Sequence, residues 1–585
     1  MSTVARPRTR RLTIVAQDPS VRVDGRILTT EVEVPAEEIA PGPRGYRVKV
    51  IDYDTSSGVL YQPAPYPPLQ NGSYQDPFKE DAALPNNDGL LSDPKFHQQN
   101  VYAIVMKTLA RFEFALGRRV AWGFRGHQIH VAPHAFADAN AFYSKRDQAL
   151  VFGYFRGLSN ELVFSCLSHD VVAHETTHAI LDGLRNRFTD PSSPEQAGFH
   201  EGFADVVALL SVFSLPAIVS TLLPNSAKKN RKLHPDLIDP EDLSVDRLQQ
   251  SVLLGLADQM GAEMLGVRGD RADALRRSVT LPKLSRRDVQ TLPEFQEPHR
   301  RGELLVAAML NAFLQVWHAR IQAMERGRRG APLDRDLVVE QGADAADRLL
   351  TMAIRALDYT PPTDLQFSDY LSALLTADKE LVPDDNKYHY REIMRRSFAN
   401  YGIEPASINS QDGTWEPCNA DLTYERSHFE SMLREADEVF RFIWENRTEL
   451  QLHEQAYTKV ISVRPCLRTG PDGFVLRETV AEYIQMITLQ AQELQYFDPP
   501  VGKPSAMASD QEVTIYGGGA LIFDEYGRLK YHVFNRISNA TKQTPRLKYL
   551  WQCGYFNTTE SADGGFSQLH LDRALNTRNH ARETF

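Results

Sequence analysis

In the stretch VVAHETTHAILDGL, residues 171–184, His174 and His178 stand four apart and Glu175 follows the first. Residues four apart on a helix share a face, so both imidazoles can converge on one ion. Glu175 is turned about 100° around the axis, which puts its carboxylate beside that ion, within reach of a water on it. Zn2+ suits two imidazoles, and a catalytic zinc takes three protein ligands and keeps one position open. The HExxH pattern alone is only moderately specific. Downstream, GFHEGFADVVALL carries Glu201 and Asp205, again four apart. Glu201 supplies the third ligand, and Asp205, one turn on, is spaced to accept a hydrogen bond from the far nitrogen of a ligating histidine and fix its tautomer. The plain alternative is two core histidines with ordinary hydrogen bonds. It leaves the second acidic pair without a reason.

These side chains need two helices. Ser168 is placed to cap the first, and VVAH and HAIL supply apolar residues on both sides of the histidines. Before it, Asp93 as N-cap, Pro94 as first helical residue and Gly117 as terminator frame another helix. HQIHVAPHAF, NAFYSK and ALVFGYF read as strands. The uncharged run VVALLSVFSLPAIVSTLL, residues 206–223, is long enough to tempt a membrane assignment. Pro216 and the flanking Glu201 and Asp205 make it a buried helix that breaks at the proline. The fold class expected is α+β with three parts: 1–92, β-rich with a Pro- and Asn-rich linker (YQPAPYPPLQNGSYQDP); 93–405, strands then helices; and 406–585, an α+β domain. In the last part FESMLREADEVFRFIWENR reads as one amphipathic helix, YTKVISVRP and TVAEYIQMITLQ as strands, and GALIFDEYGRLKYHVFN as a hairpin.

The chain has 585 residues, is 42% hydrophobic and 24% charged, and carries a formal net charge of −11. That balance is that of a soluble globular protein. It argues against nucleic acid as a partner, since phosphate demands a basic face. The four cysteines are far apart in sequence, so they read as reduced structural thiols. The N-terminal MSTVARPRTRRLTIVAQDPS lacks the long apolar run of a secretory signal, so a cytoplasmic location and no membrane partner are expected.

HExxH followed by a downstream ExxxD resembles the gluzincin metallopeptidases, and among them the thermolysin-like group. NAFYSKRDQALVFGYF resembles that group's edge strand beside the substrate cleft. EPHRRGELLVAAMLNAF resembles its later histidine-bearing helix, and FSDYLSALLTAD and YREIMRRSFANYGI resemble its helical C-terminal part. The likeness spans residues 93–405. It implies a zincin-type metallopeptidase core: a β-rich N-terminal lobe, an active-site helix and a helical C-terminal lobe. It further implies Zn2+ on His174, His178 and Glu201, Glu175 as general base, Asp205 behind His174, His299 as the group that stabilises the transition state, and Asn140 and Ala141 as binders of substrate backbone. The substrate is then a peptide or protein, with residues 406–585 free to choose a protein target. A zinc-binding scaffold without turnover, a gluzincin of other specificity such as an aminopeptidase, and an effector acting on one target are the rival readings. One departure stands out. The family has a tyrosine between its second histidine and its glutamate ligand. This chain has none between His178 and Glu201; Phe188 lies nearest, and Tyr388 or Tyr390 are the substitutes considered.

Overall fold

A computed structural model of the chain describes residues 7–70, 72–157, 160–189, 192–224, 234–258, 278, 280–325, 330–407 and 410–557. Two alternating segments near the N-terminus, β1 (Thr9–Val15) and β2 (Thr29–Pro35), pair antiparallel with Leu12 opposite Val32. Leu12, Ile14, Val32 and Val34 point inward and are buried. A third strand, β3 (Val48–Val50), already belongs to the next layer.

The helix framed by Asp93 and Gly117 is α1 (Pro94–Leu116). The Asp93 carboxylate accepts from the Lys95 N–H at 2.9 Å, and Gly117 closes the helix at φ 67°, a left-handed conformation that glycine adopts without strain. This helix is buried nearly all round, including Gln98, Gln99 and Asn100. Each of those amides is satisfied. Gln99 donates to Thr13 O at 3.0 Å, Asn100 accepts from Val15 N at 2.9 Å, and Gln98 accepts from Ala64 N at 2.8 Å. The stretch expected to be a linker is therefore bolted to α1. Ala64, Tyr66 and Phe78 are core residues, and Asp76 accepts from Thr13 N at 2.7 Å.

A five-stranded sheet follows from β4 (Ile129–Phe136), β5 (Ala141–Ser144), β6 (Ala149–Arg156) and β7 (Leu162–Phe164), with β3 as the remaining strand. The order is β7–β6–β4–β3. Strands β3, β4 and β6 run parallel, while β5 and β7 lie antiparallel along successive halves of the same side of β6. Strand β5 is thus a short edge with one side open.

Helix α2 (His169–Leu184) carries the HExxH residues. Its cap differs from expectation. Ser168 turns its hydroxyl to Asp18, and the first helical N–H, on His169, donates to Gln17 O at 2.6 Å. The N-terminal segment after β1 therefore caps the helix. Next come α3 (Pro194–Phe213) and α4 (Pro216–Leu222), capped at the start by Ser193, which accepts from Gln196 N at 3.1 Å. The chain bends by 85° between them, as the Pro216 break predicts. Among the described residues, the later helices of this part include α5 (Pro298–Glu325), α6 (Arg335–Ala356), α7 (Phe367–Leu381) and α8 (Tyr390–Ala399), with Val245–Asp258 and the short Arg286–Thr291 before them. Among the described residues α5 is the one single helix long and apolar enough to cross a membrane, and 72% of that apolar window is buried inside the fold.

Beyond residue 406, the expected amphipathic helix is two pieces, Phe429–Met432 and α9 (Ala436–Glu445), separated where Glu435 is extended at φ −106°, ψ 117°. A four-stranded antiparallel sheet follows: β8 (Tyr457–Thr469), β9 (Val475–Gln490), β10 (Glu512–Phe523) and β11 (Leu529–Asn535), then α10 (Ala540–Gln552). The β10–β11 turn is the expected hairpin, with Gly527 at φ 80°. Side chains alternate between two cores. Val480, Ala520 and Ile522 join the main apolar cluster that begins at Leu12, whereas Ala481, Tyr483, Leu521 and Phe523 pack with Val439, Phe442 and Ile443 of α9. The chain is thus a mixed α+β protein.

Candidate metal centre and cleft

On α2 the rings of His174 and His178 lie side by side, 4.4 Å between centroids, with their Nε2 atoms 2.8 Å apart. Helix α3 brings up Glu201. Its Oε2 is 3.7 Å from His174 Nε2, and its Oε1 is 3.7 Å from His178 Nε2. All three residues are buried. Ligands 2.0–2.1 Å from a tetrahedral zinc sit about 3.3–3.4 Å from each other. The three separations straddle that edge, so the donor set fits a zinc-sized ion. Asp205 Oδ1 stands 2.8 Å from His174 Nδ1. The contact is close but not aligned as a hydrogen bond; a carboxylate on that side of the ring favours a proton on Nδ1, which leaves the Nε2 lone pair for a metal.

Glu175 points elsewhere, as its position on the helix requires. Its Oε2 accepts from the Tyr143 N–H of β5 at 3.1 Å, and the residue is buried. The phenol of Tyr143 donates to Asp182 at 2.9 Å, and Lys145 reaches the same carboxylate at 2.9 Å. Two side chains of α2 thus clamp the edge strand above it. Burial and the Asp182 charge push the Tyr143 phenol above its ordinary value, so it stays protonated and committed to that contact. Ala141 begins this strand and Asn140 directly precedes it, its Oδ1 accepting from Ala141 N at 2.8 Å.

His299 arrives from α5. It sits in the first turn of that helix rather than on a preceding loop, because the Glu297 carboxylate accepts from Arg300 N at 2.8 Å and extends the helix back to Pro298. The same carboxylate lies 2.7 Å from His299 Nδ1. Burial raises Glu297, but the His299 hydrogen bond and charge and the backbone N–H groups outweigh it and bring the group down to about 2. The other ring nitrogen, Nε2, faces Glu201 Oε2 at 3.6 Å, and the side chain is 34% exposed. It therefore reaches the metal centre from the solvent side.

Two features went unread in the sequence. Helices α3 and α5 cross with backbones in contact: a Cβ on Gly202 would lie 2.7 Å from Gly302 O, and one on Gly302 would lie 2.9 Å from Gly198 O. Glu201 and His299 are brought together at that crossing. The second is His200, buried and stacked on His178 at 4.6 Å with the planes 5° apart. Its place directly before Glu201 in FHEGF was the available signal.

The tyrosine substitutes are not brought to this centre. Tyr390 accepts from Arg320 at 3.2 Å and lies under Arg348, while the Tyr388 ring lies under Arg320 and Lys387. Both line a different cavity of about 650 Å³ that also holds Asp344 and Asp378. Phe188 is buried against Phe199. The chain matches no family model and no curated protein.

Proposed function

We propose that this protein is a zinc metallopeptidase of the gluzincin, thermolysin-like type, with a zincin-type core around α2, α3 and the β5 edge. The carrying observation is that His174, His178 and Glu201 converge from two helices while Glu175, next to the first histidine, stays out of the ligand set and faces the edge strand. When bound, Zn2+ supplies Lewis acidity: it lowers the pKa of a water toward neutrality and polarises a carbonyl. The chain supplies the rest. Glu175 takes the water's proton and delivers it to the leaving amine. A peptide lies along the open side of β5 as an added strand. His299 Nε2 donates to the carbonyl oxygen as negative charge develops on it. In this reading a protein target is selected by residues 406–585.

The competing reading is a zinc-binding scaffold without turnover. It is favoured by Phe188, which occupies the region where the family has a phenol. Digestion of a peptide library separates the two. Peptidase activity predicts cleavage that chelation abolishes and added Zn2+ restores. Cleavage indifferent to chelation removes the metal from the reaction, and zinc-replete protein that cuts nothing supports the scaffold.

A further inference from the structure

A second set of metal-ligating side chains converges away from His174 and His178. His97 lies in the first turn of α1, His134 on β4, and Cys166 in the 3-10 turn (Ser165–Leu167) that leads into α2. Their exposures are 1%, 1% and 0%. His97 Nδ1 and His134 Nε2 face each other at 2.8 Å, and the ligand atoms of all three residues lie within 4.8 Å of one another.

The outer ring nitrogens define the tautomers. His97 Nε2 is 3.0 Å from Leu91 O, which can only accept, so that nitrogen carries the proton. His134 Nδ1 is 2.8 Å from Asp52 Oδ1, and Asp52 is itself held by Gln98 Nε2 at 2.8 Å. The carboxylate takes the proton of His134 Nδ1 as a hydrogen bond. Each neutral ring then presents a lone pair on its inner nitrogen, and two lone pairs oppose each other in a dry pocket. Only a cation between them relieves this. A proton is one candidate, giving an imidazolium paired with Asp52. A metal ion is the other, and Cys166 at the third corner favours it, since a thiol has no part in the protonated pair but becomes a ligand as thiolate. The same 2.8 Å nitrogen separation occurs in the His174–His178 pair. Widening it by about half an ångström fits ligands of a zinc-sized ion. Phe164 packs against both rings at 4.7 and 5.2 Å, and Tyr61 covers His134 at 4.9 Å.

We propose that His97, His134 and Cys166 bind a second metal, a borderline-to-soft transition-metal ion, Zn2+ or Cu+, that pins α1 and the sheet to the entrance of α2. Two imidazoles and a thiolate suit both ions. Binding displaces the thiol proton to solvent; the thiolate and the outer Asp52 balance the charge of Zn2+, and with Cu+ they leave the site one negative charge in excess. The ion would sit three residues ahead of the helix that carries the HExxH residues and fix where that helix starts. The site does not depend on the peptidase reading.

Co2+ tests it directly, because sulfur ligation gives a thiolate-to-metal charge-transfer band in the near ultraviolet and the His174–His178–Glu201 set contains no sulfur. The full chain, with the exposed Cys553 changed to serine, is stripped and refilled with Co2+, or with Cu+ against a competing chelator. The band is expected in this protein and in its His178→Ala form, and it disappears in Cys166→Ala together with one equivalent of metal. A Co2+ band assigns the site to the zinc class. Retention of one equivalent of Cu+ alone, lost in Cys166→Ala, assigns it to copper. Should Cys166→Ala fail to fold, the band in His178→Ala still reports the sulfur site. No band and no tightly held Cu+ in that protein overturn the proposal and leave the protonated His134–Asp52 pair.

Discussion

Individual residues of the proposed centre can each be removed alone. Asp205 stands against His174 and outside the His174–His178–Glu201 set, so Asp205→Ala should act through the metal: a Zn2+ affinity about 10–100-fold weaker, read by chelator competition. Unchanged affinity would detach Asp205 from the ligand. His299 is not placed as a ligand. Its Nε2 faces the open side of Glu201, so His299→Ala should lower kcat/KM by about tenfold to a thousandfold with zinc content intact. A variant that instead loses zinc would make His299 a ligand. At this scale the sequence was most legible where chemistry follows helical spacing. The four-residue intervals of His174–His178 and Glu201–Asp205 each put both members on one face. It was least legible for the phenol. Nothing in the order of residues says where Tyr388 and Tyr390 lie, and Arg320 and Arg348 hold them elsewhere.

Among the elements, the crossing of α3 and α5 decides whether Glu201 and His299 meet. Gly302 is packed against the backbone of Gly198 and Gly202, so Gly302→Ala must push the helices apart. The expected result is a loss of about 1–3 kcal/mol in denaturant unfolding, with weaker zinc binding because Glu201 moves away from the histidines. Wild-type stability and zinc affinity would show that the contact can relax. This crossing was invisible in the sequence because its partners stand about a hundred residues apart and glycine leaves no hydrophobic pattern. The α1 boundaries were readable from Asp93, Pro94 and Gly117, since caps are local. The α2 cap was not, because Gln17 O reaches it through the fold while Ser168 turns to Asp18. The burial of Gln99 and Asn100 in α1 was not readable either, because the strand groups they satisfy, at Thr13 and Val15, lie far away in sequence.

Across the whole molecule, a buried ion network ties the C-terminal sheet to the helical part. Arg118 holds Asp358 with two hydrogen bonds, at 2.5 and 2.7 Å, and Arg468 of β8 pairs with the same carboxylate and with Glu478 of β9. Tyr359 donates to Glu478 at 2.6 Å, and Leu467 N donates to Gly117 O at 2.9 Å. Burial alone would raise Asp358, but the Arg118 and Arg468 charges hold it well below the ordinary carboxylate range. A depressed carboxylate contributes stability above its unfolded value, near 3.8, and that stability is lost as pH falls through the folded value. Asp358→Asn leaves the buried Arg118 guanidinium without its anion and Arg468 with Glu478 alone, so it should cost about 3–5 kcal/mol at neutral pH and flatten acid unfolding below about pH 4. An unchanged acid transition would contradict this role for Asp358. The alternating strands of this sheet were legible in the sequence. Its welding to the rest was not, because Arg468 in YTKVISVRPCLRT shows its burial only once Asp358 is placed beside it. In the proposed peptidase Glu175 is the decisive residue: it lies next to His174 and under the edge strand, outside the His174–His178–Glu201 set. The most direct test is peptide cleavage by Glu175→Gln, with zinc measured on the same sample. A peptidase with Glu175 as general base predicts full zinc content and loss of nearly all hydrolysis; zinc lost from the variant, or turnover equal to wild type, would contradict that role.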